Sequence, residues 1–462
     1  MRTSAVAVAA GCVLAGLVAL GGCGPDPTVV KTAKALSARV DPQPTYNDSA
    51  RFILATYLAP HDRDYVMWSM EYASLCLMGG NLDAAKAELM QCYDDIQKRQ
   101  DVEKERAAAL SNEANKIFKG EPFERALLSS YLGMLHYVEG DYNNARIFCA
   151  RADMEDATTE EDMAAFRHDF GMAHYWLGRA YLKLGQEGNA RVAFTKASEH
   201  IVRKDEEKET AALRRRQATE RAKRVRLEKE GYKLATSGKK PIAGAADMSG
   251  CIPASELPAE WPGAAVGDNP VIRAAESAEQ FFTVDYQKQV NLICLVETGV
   301  GPIKYLIGDG GYMDAIMRAP YEERKVVVYL DGHRAGEAMS LVDLFHQADT
   351  RGMSAKDSAQ MAKGVTKSIL SQMPYVGDLA SSWDVRADWR YWRLMPGEVH
   401  IFAAKVKPGM YTLNVQCLDS NDCLLPRYSL TRYYIPVTED GESVVLVHTK
   451  PEADNTYAPP TK

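Results

Sequence analysis

Apolar positions along the chain follow two periods, and the change from one to the other divides it. Between residues 48 and 203 they recur every three or four positions, the spacing of one helix face. This predicts helices over 48–58, 64–78, 82–118, 122–138, 142–154, 160–183 and 187–203. Gly-Asn, Gly-Asp or Gly-Gln pairs stand at the turns, where they stop one helix and start the next. From residue 290 the period is two. Strands are predicted over 290–297, 325–332, 398–406, 410–418, 430–437 and 442–449, all rich in β-branched and aromatic residues. Lys407-Pro408-Gly409 and Glu439-Asp440-Gly441 predict that the last four strands pair as two hairpins. A helix over 355–373 and a shorter one near 338–347 interrupt the strands, so the expected class is α+β: an all-α array, then an antiparallel β-rich domain with an inserted helix.

The helical half repeats itself. LGMLHYVEGDYNNARIFCARA (132–152) returns as LGRAYLKLGQEGNARVAFTKA (177–197), with Gly133 and Gly178, Gly140 and Gly185, Ala145 and Ala190, and Ala152 and Ala197 in register. A weaker copy precedes them on Ala73, Gly80, Ala85 and Cys92. Small residues at these intervals form the ladder of a tetratricopeptide (TPR) repeat, whose paired helices cross so closely that only Gly or Ala fits. The expected architecture is therefore a TPR-like solenoid with insertions, its copies being further apart than the ~34 residues of an ordinary repeat. Gly133 and Gly178 should stand where the two helices of a hairpin meet, beside Ala145 and Ala190. Such arrays present a concave face to extended peptides, and Trp68, Tyr72, Tyr131, Tyr137, Tyr175 and Trp176 are candidates to line it, although rings at helical spacing more often belong to a core.

The ends and joints read as follows. Arg2, an apolar run from Ala5 to Leu20 and then Gly21-Gly22-Cys23 look like a lipoprotein signal ending in a lipobox, which implies cleavage after residue 22 and lipidation of Cys23. Gly24 in place of an Asp favours the outer membrane, facing the periplasm. Residues 23–45 are a Pro-broken tether, 46–234 the repeat domain closing in a densely charged helix, 235–285 a Pro- and Gly-rich linker, 286–450 the β-rich domain and 451–462 a disordered tail. Two domains joined by such a linker are expected to unfold separately, leaving a resistant fragment from about residue 270.

Composition changes little in this picture. A net charge of −7 over 462 residues gives no basic stripe for nucleic acid. The nine histidines include no H-E-x-x-H pair, GVGPIKYLIGDGG lacks P-loop spacing, and no G-x-S-x-G elbow occurs, so no catalytic, metal or cofactor site is expected. In an exported chain, Cys417 with Cys423 and Cys76 with Cys92 are candidate disulfides, and burial as small hydrophobes explains the same residues.

The order of features adds a resemblance. Repeats, a charged helix, a strand running into Gly299-Val300-Gly301-Pro302, a strand-plus-helix insertion and then Trp389-Arg390-Tyr391-Trp392-Arg393-Leu394-Met395-Pro396-Gly397-Glu398 resemble a family of bacterial lipoproteins with helical repeats before a β-rich module. The resemblance implies no enzymatic activity and an association with lipoproteins that activate penicillin-binding proteins. The expected function is a membrane-anchored, non-enzymatic scaffold whose repeats take envelope proteins as partners. The alternative is a carbohydrate-binding or enzymatic C-terminal module, motivated by Trp383, Trp389, Tyr391, Trp392, Tyr433 and Tyr434.

Overall fold

A computed structural model describes residues 53–58, 63–106, 118–156, 170–199, 268–307, 313–319, 321–350, 388, 390–419, 421–428, 430–439, 441–449 and 456–457. Six helices make three antiparallel hairpins: α1 (Tyr65–Met78) with α2 (Leu82–Arg106), α3 (Pro122–Val138) with α4 (Tyr142–Asp156), and α5 (Gly171–Lys183) with α6 over 187–199.

The three turns share one construction. Gly80, Gly140 and Gly185 adopt φ of 73°, 84° and 71°, a left-handed conformation that glycine reaches without strain. Each glycine N–H donates three residues back (to Leu77, Tyr137 and Leu182), and the next N–H donates five back (to Cys76, His136 and Tyr181). That pair of bonds satisfies the last carbonyls of the outgoing helix. Asn81 and Asp141 then cap the incoming helix, their side-chain oxygens accepting from Ala84 N and Asn144 N. Close crossings follow from small residues. A Cβ on Gly133 would overlap Cys149 Sγ, and one on Gly178 would lie 2.6 Å from the Phe194 ring. Ala145, Ala152, Ala190 and Ala197 are fully buried around them.

The β half holds β1 (Val271–Arg273), α7 (Ala278–Phe281), α8 (Val284–Gln287), β2 (Leu292–Thr298), β3 (Ile303–Ile307), β4 (Met313–Met317), β5 (Lys325–Leu330), β6 (His333–Asp343), α9 (Leu344–Thr350), β7 (Glu398–Val406), β8 (Gly409–Leu418), β9 (Leu430–Val437), β10 (Ser443–His448) and β11 (Thr456–Tyr457). Strand order in the main sheet is β10-β2-β7-β6-β5-β8-β9-β11, with β1 also on β7, and β3 and β4 form a separate pair. The sheet is nearly closed, barrel-like. Asn291 ties its seam, donating to Val406 O (2.9 Å) and Thr438 O (3.1 Å) and accepting from Val406 N. Long β6 turns the corner, pairing with β5 through its first half and β7 through its second.

Several expectations change here. Neither Lys407–Gly409 nor Glu439–Gly441 closes a hairpin: β7 pairs with β2, β6 and β1, while β10 runs parallel to β2. Turn residues reverse the chain without choosing its neighbour, and barrel closure sends each strand across to another edge. The sheet is thus not purely antiparallel, β11 also running parallel to β9. The short helix near 338–347 is mostly β6, with α9 beginning only at Leu344, because pairing on both sides overrides the helix preference of Ala, Glu and Met. GVGPIKYLIGDGG contains strand β3. β1, α7 and part of α8 lie within the stretch expected as linker, and β11 within the expected tail. The charged helix (203–233), the helix over 355–373, the tether and Cys23 fall outside the described residues.

Candidate functional site

Helix α3 is buried almost all round, from Phe123 to Tyr137. A helix in that state has neighbours on both sides. One side packs on α4; the other packs on the β half. One hydrophobic core runs through both, joining Met70, Leu127, Tyr131 and Tyr175 to Ile293, Leu295, Trp392, Val399 and Ile401. The inner face of the array, read from the sequence as a possible groove, is occupied by the chain's own residues 390–394 and the outer face of the sheet. Tyr131, Tyr137, Tyr175 and Trp176 are buried there, whereas Trp68 and Tyr72 are half-buried.

Buried polar groups lock this seam at three places. At the first, carboxylates hold backbone amides. Glu71 of α1 accepts from Arg393 N (2.8 Å), Arg393 Nε (3.0 Å) and Leu394 N (3.1 Å), and Glu124 of α3 accepts from Trp392 N (2.6 Å). Trp392, fully buried, donates its indole N–H to Ser74 Oγ at 2.8 Å. Arg393 lies 4.6 Å over the Trp68 ring, and Arg390 bridges Asp388 and Asp64. Lys304 of β3 is paired with Glu121, which caps α3 in a capping box with Glu124. Burial pushes the Glu124 carboxyl up to about 7 against the backbone bonds that favour its ionised form.

At the second place Tyr131 donates to Glu297 of β2, whose other oxygen lies 3.1 Å from His448 Nδ1. Burial and the Glu297 charge both raise the Tyr131 hydroxyl far above its ordinary value, so it stays a donor. At the third, Glu442 at the entry to β10 reaches a socket made by Arg179, Lys183 and Tyr137, with Arg179 Nη2 at 2.6 Å and Lys183 Nζ at 2.5 Å. Burial works to raise the Glu442 carboxyl, but Arg179, Lys183 and Tyr137 together bring it below the usual carboxylate range. Arg179 also donates to Gln287 O and Oε1, tying α8 to the array.

The glycines around 299 have a local task. A Cβ on Gly299 would overlap the Tyr321 ring, one on Gly397 would come within 2.6 Å of it, and Gly301 faces Met395. They form a slot for that ring, whose hydroxyl donates to Glu398 at 3.1 Å while Arg324 covers it at 4.1 Å. Arg318 with Asp343 and Arg324 with Glu398 balance charge beside it. Among the described residues no group of three or more His, Cys, Asp or Glu side chains is placed to hold a metal ion.

The expected disulfides take other forms. Cys417 is a free buried thiol, raised by burial, and Cys423 is disulfide-bonded to some other cysteine, so Cys417 and Cys423 are not a pair. β8 places Cys417 in the barrel interior with Leu413 and Val415. Cys76 and Cys92 are also free. Of the aromatics proposed as a glycan surface, Tyr391 and Trp392 are buried and Tyr434 is exposed. Trp383 and Trp389 lie outside the described residues, as does the side chain of Tyr433. Sequence reasoning missed Glu71, Glu124, Arg179 and Glu297; Glu71, Arg179 and Glu297 are charges in largely apolar runs, which implies buried partners, whereas Glu124 sits beside Arg125 and close to Glu121 and gave no such signal. The sequence matches no protein-family model and no curated protein.

Proposed function

We propose that this chain is a lipid-anchored protein of the bacterial cell envelope, a non-enzymatic interaction scaffold built on a TPR-like array. Lipidation at Cys23 would hold it at the membrane, in the outer membrane facing the periplasm. The observation that carries the reading is the array itself: three hairpins with one turn construction and small-residue crossings, whose inner face is filled by the chain's own residues 390–394. An inner face already occupied directs partner proteins to the outer helices. There Ile147 of α4 and Val192 of α6, each seven residues past its turn glycine, stand more than half exposed at equivalent positions. The buried state of Tyr391 and Trp392 supports this reading over a carbohydrate-binding surface built on them.

The test is site-resolved photo-cross-linking in the native envelope, with the photoreactive residue at Ile147, at Val192 and, as a control on the barrel, at Met410. Discrete protein adducts from 147 and 192, lost when Cys23→Ser releases the chain from the membrane, support the scaffold. Adducts arising only at position 410, or none at all from the helices, would remove it.

A further inference from the structure

The chain has nine cysteines, and five of them, Cys76, Cys92, Cys149, Cys294 and Cys417, are buried thiols that take part in no disulfide. Burial pushes the Cys76, Cys92, Cys149 and Cys417 thiols up, so they hold little of the thiolate that attacks a disulfide. Cys423 differs: it stands in the segment between β8 and β9 and is disulfide-bonded. A tight turn fixes its main chain. Asp419 Oδ1 accepts from Asn421 N at 2.7 Å and from Cys423 N at 2.8 Å, while Cys423 O accepts from Asp419 N at 2.9 Å. Leu424 bridges Leu418, which keeps Cys423 at the far end of β8. The sulfur bonded to it belongs to Cys12, Cys23 or Cys251, all three outside the described residues.

We propose that Cys423 is joined to Cys251, so that a disulfide fastens the Pro- and Gly-rich stretch before β1 to the barrel. A sulfur that carries a lipid through a thioether cannot also hold a second sulfur, which removes Cys23, and Cys12 falls within the apolar leader that cleavage after residue 22 takes away. The assignment therefore rests on lipidation of Cys23. Reach agrees with it. Lys407 N donates to Pro270 O at 3.0 Å, so the chain enters β1 beside the Gly409 end of β8, whereas Cys423 lies past the Leu418 end. The 10 residues of β8 separate those ends by ~34 Å. Asp268 is 17 residues on from Cys251, enough to span up to ~56 Å. Pairing takes two electrons and two protons from the two thiols and delivers them to an external disulfide, the oxidant of an exporting compartment. One thiolate attacks that disulfide and displaces one of its sulfurs; the second attacks the mixed bond and displaces the other, and the oxidant leaves as a dithiol. The closed ring contains β1 to β8, so reduction gives the unfolded chain more freedom than the folded one.

Peptide mapping of the full chain tests it. The protein is taken from its native envelope with thiols blocked by N-ethylmaleimide, then cut without reductant by trypsin and by an aspartate-specific protease, which cleaves at Asp419 and so separates Cys417 from Cys423. Mass spectrometry should find one linked pair of peptides carrying Cys251 and Cys423, which reductant splits with the gain of two hydrogens. Cys251→Ser should leave Cys423 open to the blocking reagent, and Cys423→Ser should do the same for Cys251. Reductant should also lower the urea midpoint of the wild type and leave that of Cys423→Ser in place. Should either variant not accumulate, the wild-type map decides the matter. A peptide joining Cys423 to Cys12 or Cys23, a bond from Cys423 to a second copy of the chain, or Cys423 recovered with the blocking reagent overturns the proposal. The mass of the N-terminal peptide separates this from the anchor itself: a Cys251–Cys423 pair in a chain whose Cys23 carries no lipid supports the pair and removes the anchor.

Discussion

Strand β2 has two buried faces that differ in kind. Leu292, Cys294 and Val296 point into the barrel, among Val326, Val328, Leu413, Val415 and Val447, an interior of aliphatic side chains. Ile293, Leu295 and Glu297 point to the helices, where Glu297 meets Tyr131 and His448. The barrel interior gains by removing apolar area from water, a force with no direction. The seam places Glu71, Glu124, Glu297, Arg179 and Glu442 where each has particular partners. Such groups contribute little net stability once their desolvation is counted, yet each is costly to leave unpaired. The apolar cores on both faces of β2 therefore supply stability, and the polar groups of the seam fix how the array sits on the barrel.

The comparison breaks most visibly at Trp392, which belongs to both chemistries: its ring fills the shared core and its N–H binds Ser74. Trp392→Ala removes a fully buried ring and should cost ~3–5 kcal/mol in urea unfolding. Because Glu71 and Glu124 hold the segment by its main chain, the fold should be weakened without changing its topology. Arg179→Ala comes next. It leaves Glu442 with Lys183 and Tyr137 alone and unties Gln287, for a loss of ~3–5 kcal/mol by the same denaturation. The matched barrel substitution Val328→Ala should cost less, since it opens a cavity but strands no charge.

Much of the helical half was legible because its determinants are local. Glycine and a following Asn, Asp or Gln write each turn, and a period near 3.6 writes each helix. Strands β7 and β9 were legible to the residue for the same reason. Their pairing was not, since period two says which face of a strand is buried and nothing about which strand lies beside it. The seam was hidden for a different reason. Glu124 and Trp392 are 268 residues apart, and nothing in the local sequence of either names the other. What did show was an anomaly: Arg179 within GMAHYWLGRAYLK and Glu71 within YVMWSMEYASLCLM are charges on helices too apolar to be half-solvated.

Gly133 sharpens the comparison on the array side. A larger side chain there meets Cys149 Sγ and the backbone carbonyl of Ala145, and the second of these cannot rotate away. Gly133→Leu should cost ~1–3 kcal/mol. The sequence alone led to an expectation that the array would melt by itself and leave a fragment from about residue 270. The continuous core beneath α3 changes that, because Tyr131 and Leu127 on the same helix pack with Trp392 and Ile401. Circular dichroism and tryptophan fluorescence should report one coincident transition at lower urea, and a two-step curve with a protease-resistant β half would show that the seam does not couple the two parts.

The smallest effect is expected where the same two regions meet in water. Lys288, just past α8, pairs with Glu187 at the start of α6 at 2.6 Å, and the two side chains are 42% and 53% exposed. Like Arg179 with Glu442 it links array to barrel, but solvent screens the charges and two long side chains must be ordered to form it. Exposed pairs of this kind contribute at most ~1 kcal/mol, and ~0.15 M salt already reduces them through a screening length of about 8 Å. Lys288→Ala should therefore shift the urea midpoint slightly at low salt and not measurably at ~1 M. Arg179→Ala should keep most of its effect at both, since burial excludes the screening ions. If the two substitutions responded alike to salt, the Arg179 socket would be open to solvent, and the distinction between a charged seam that orients and a surface pair that merely touches would fail at the place where the structure draws it most sharply.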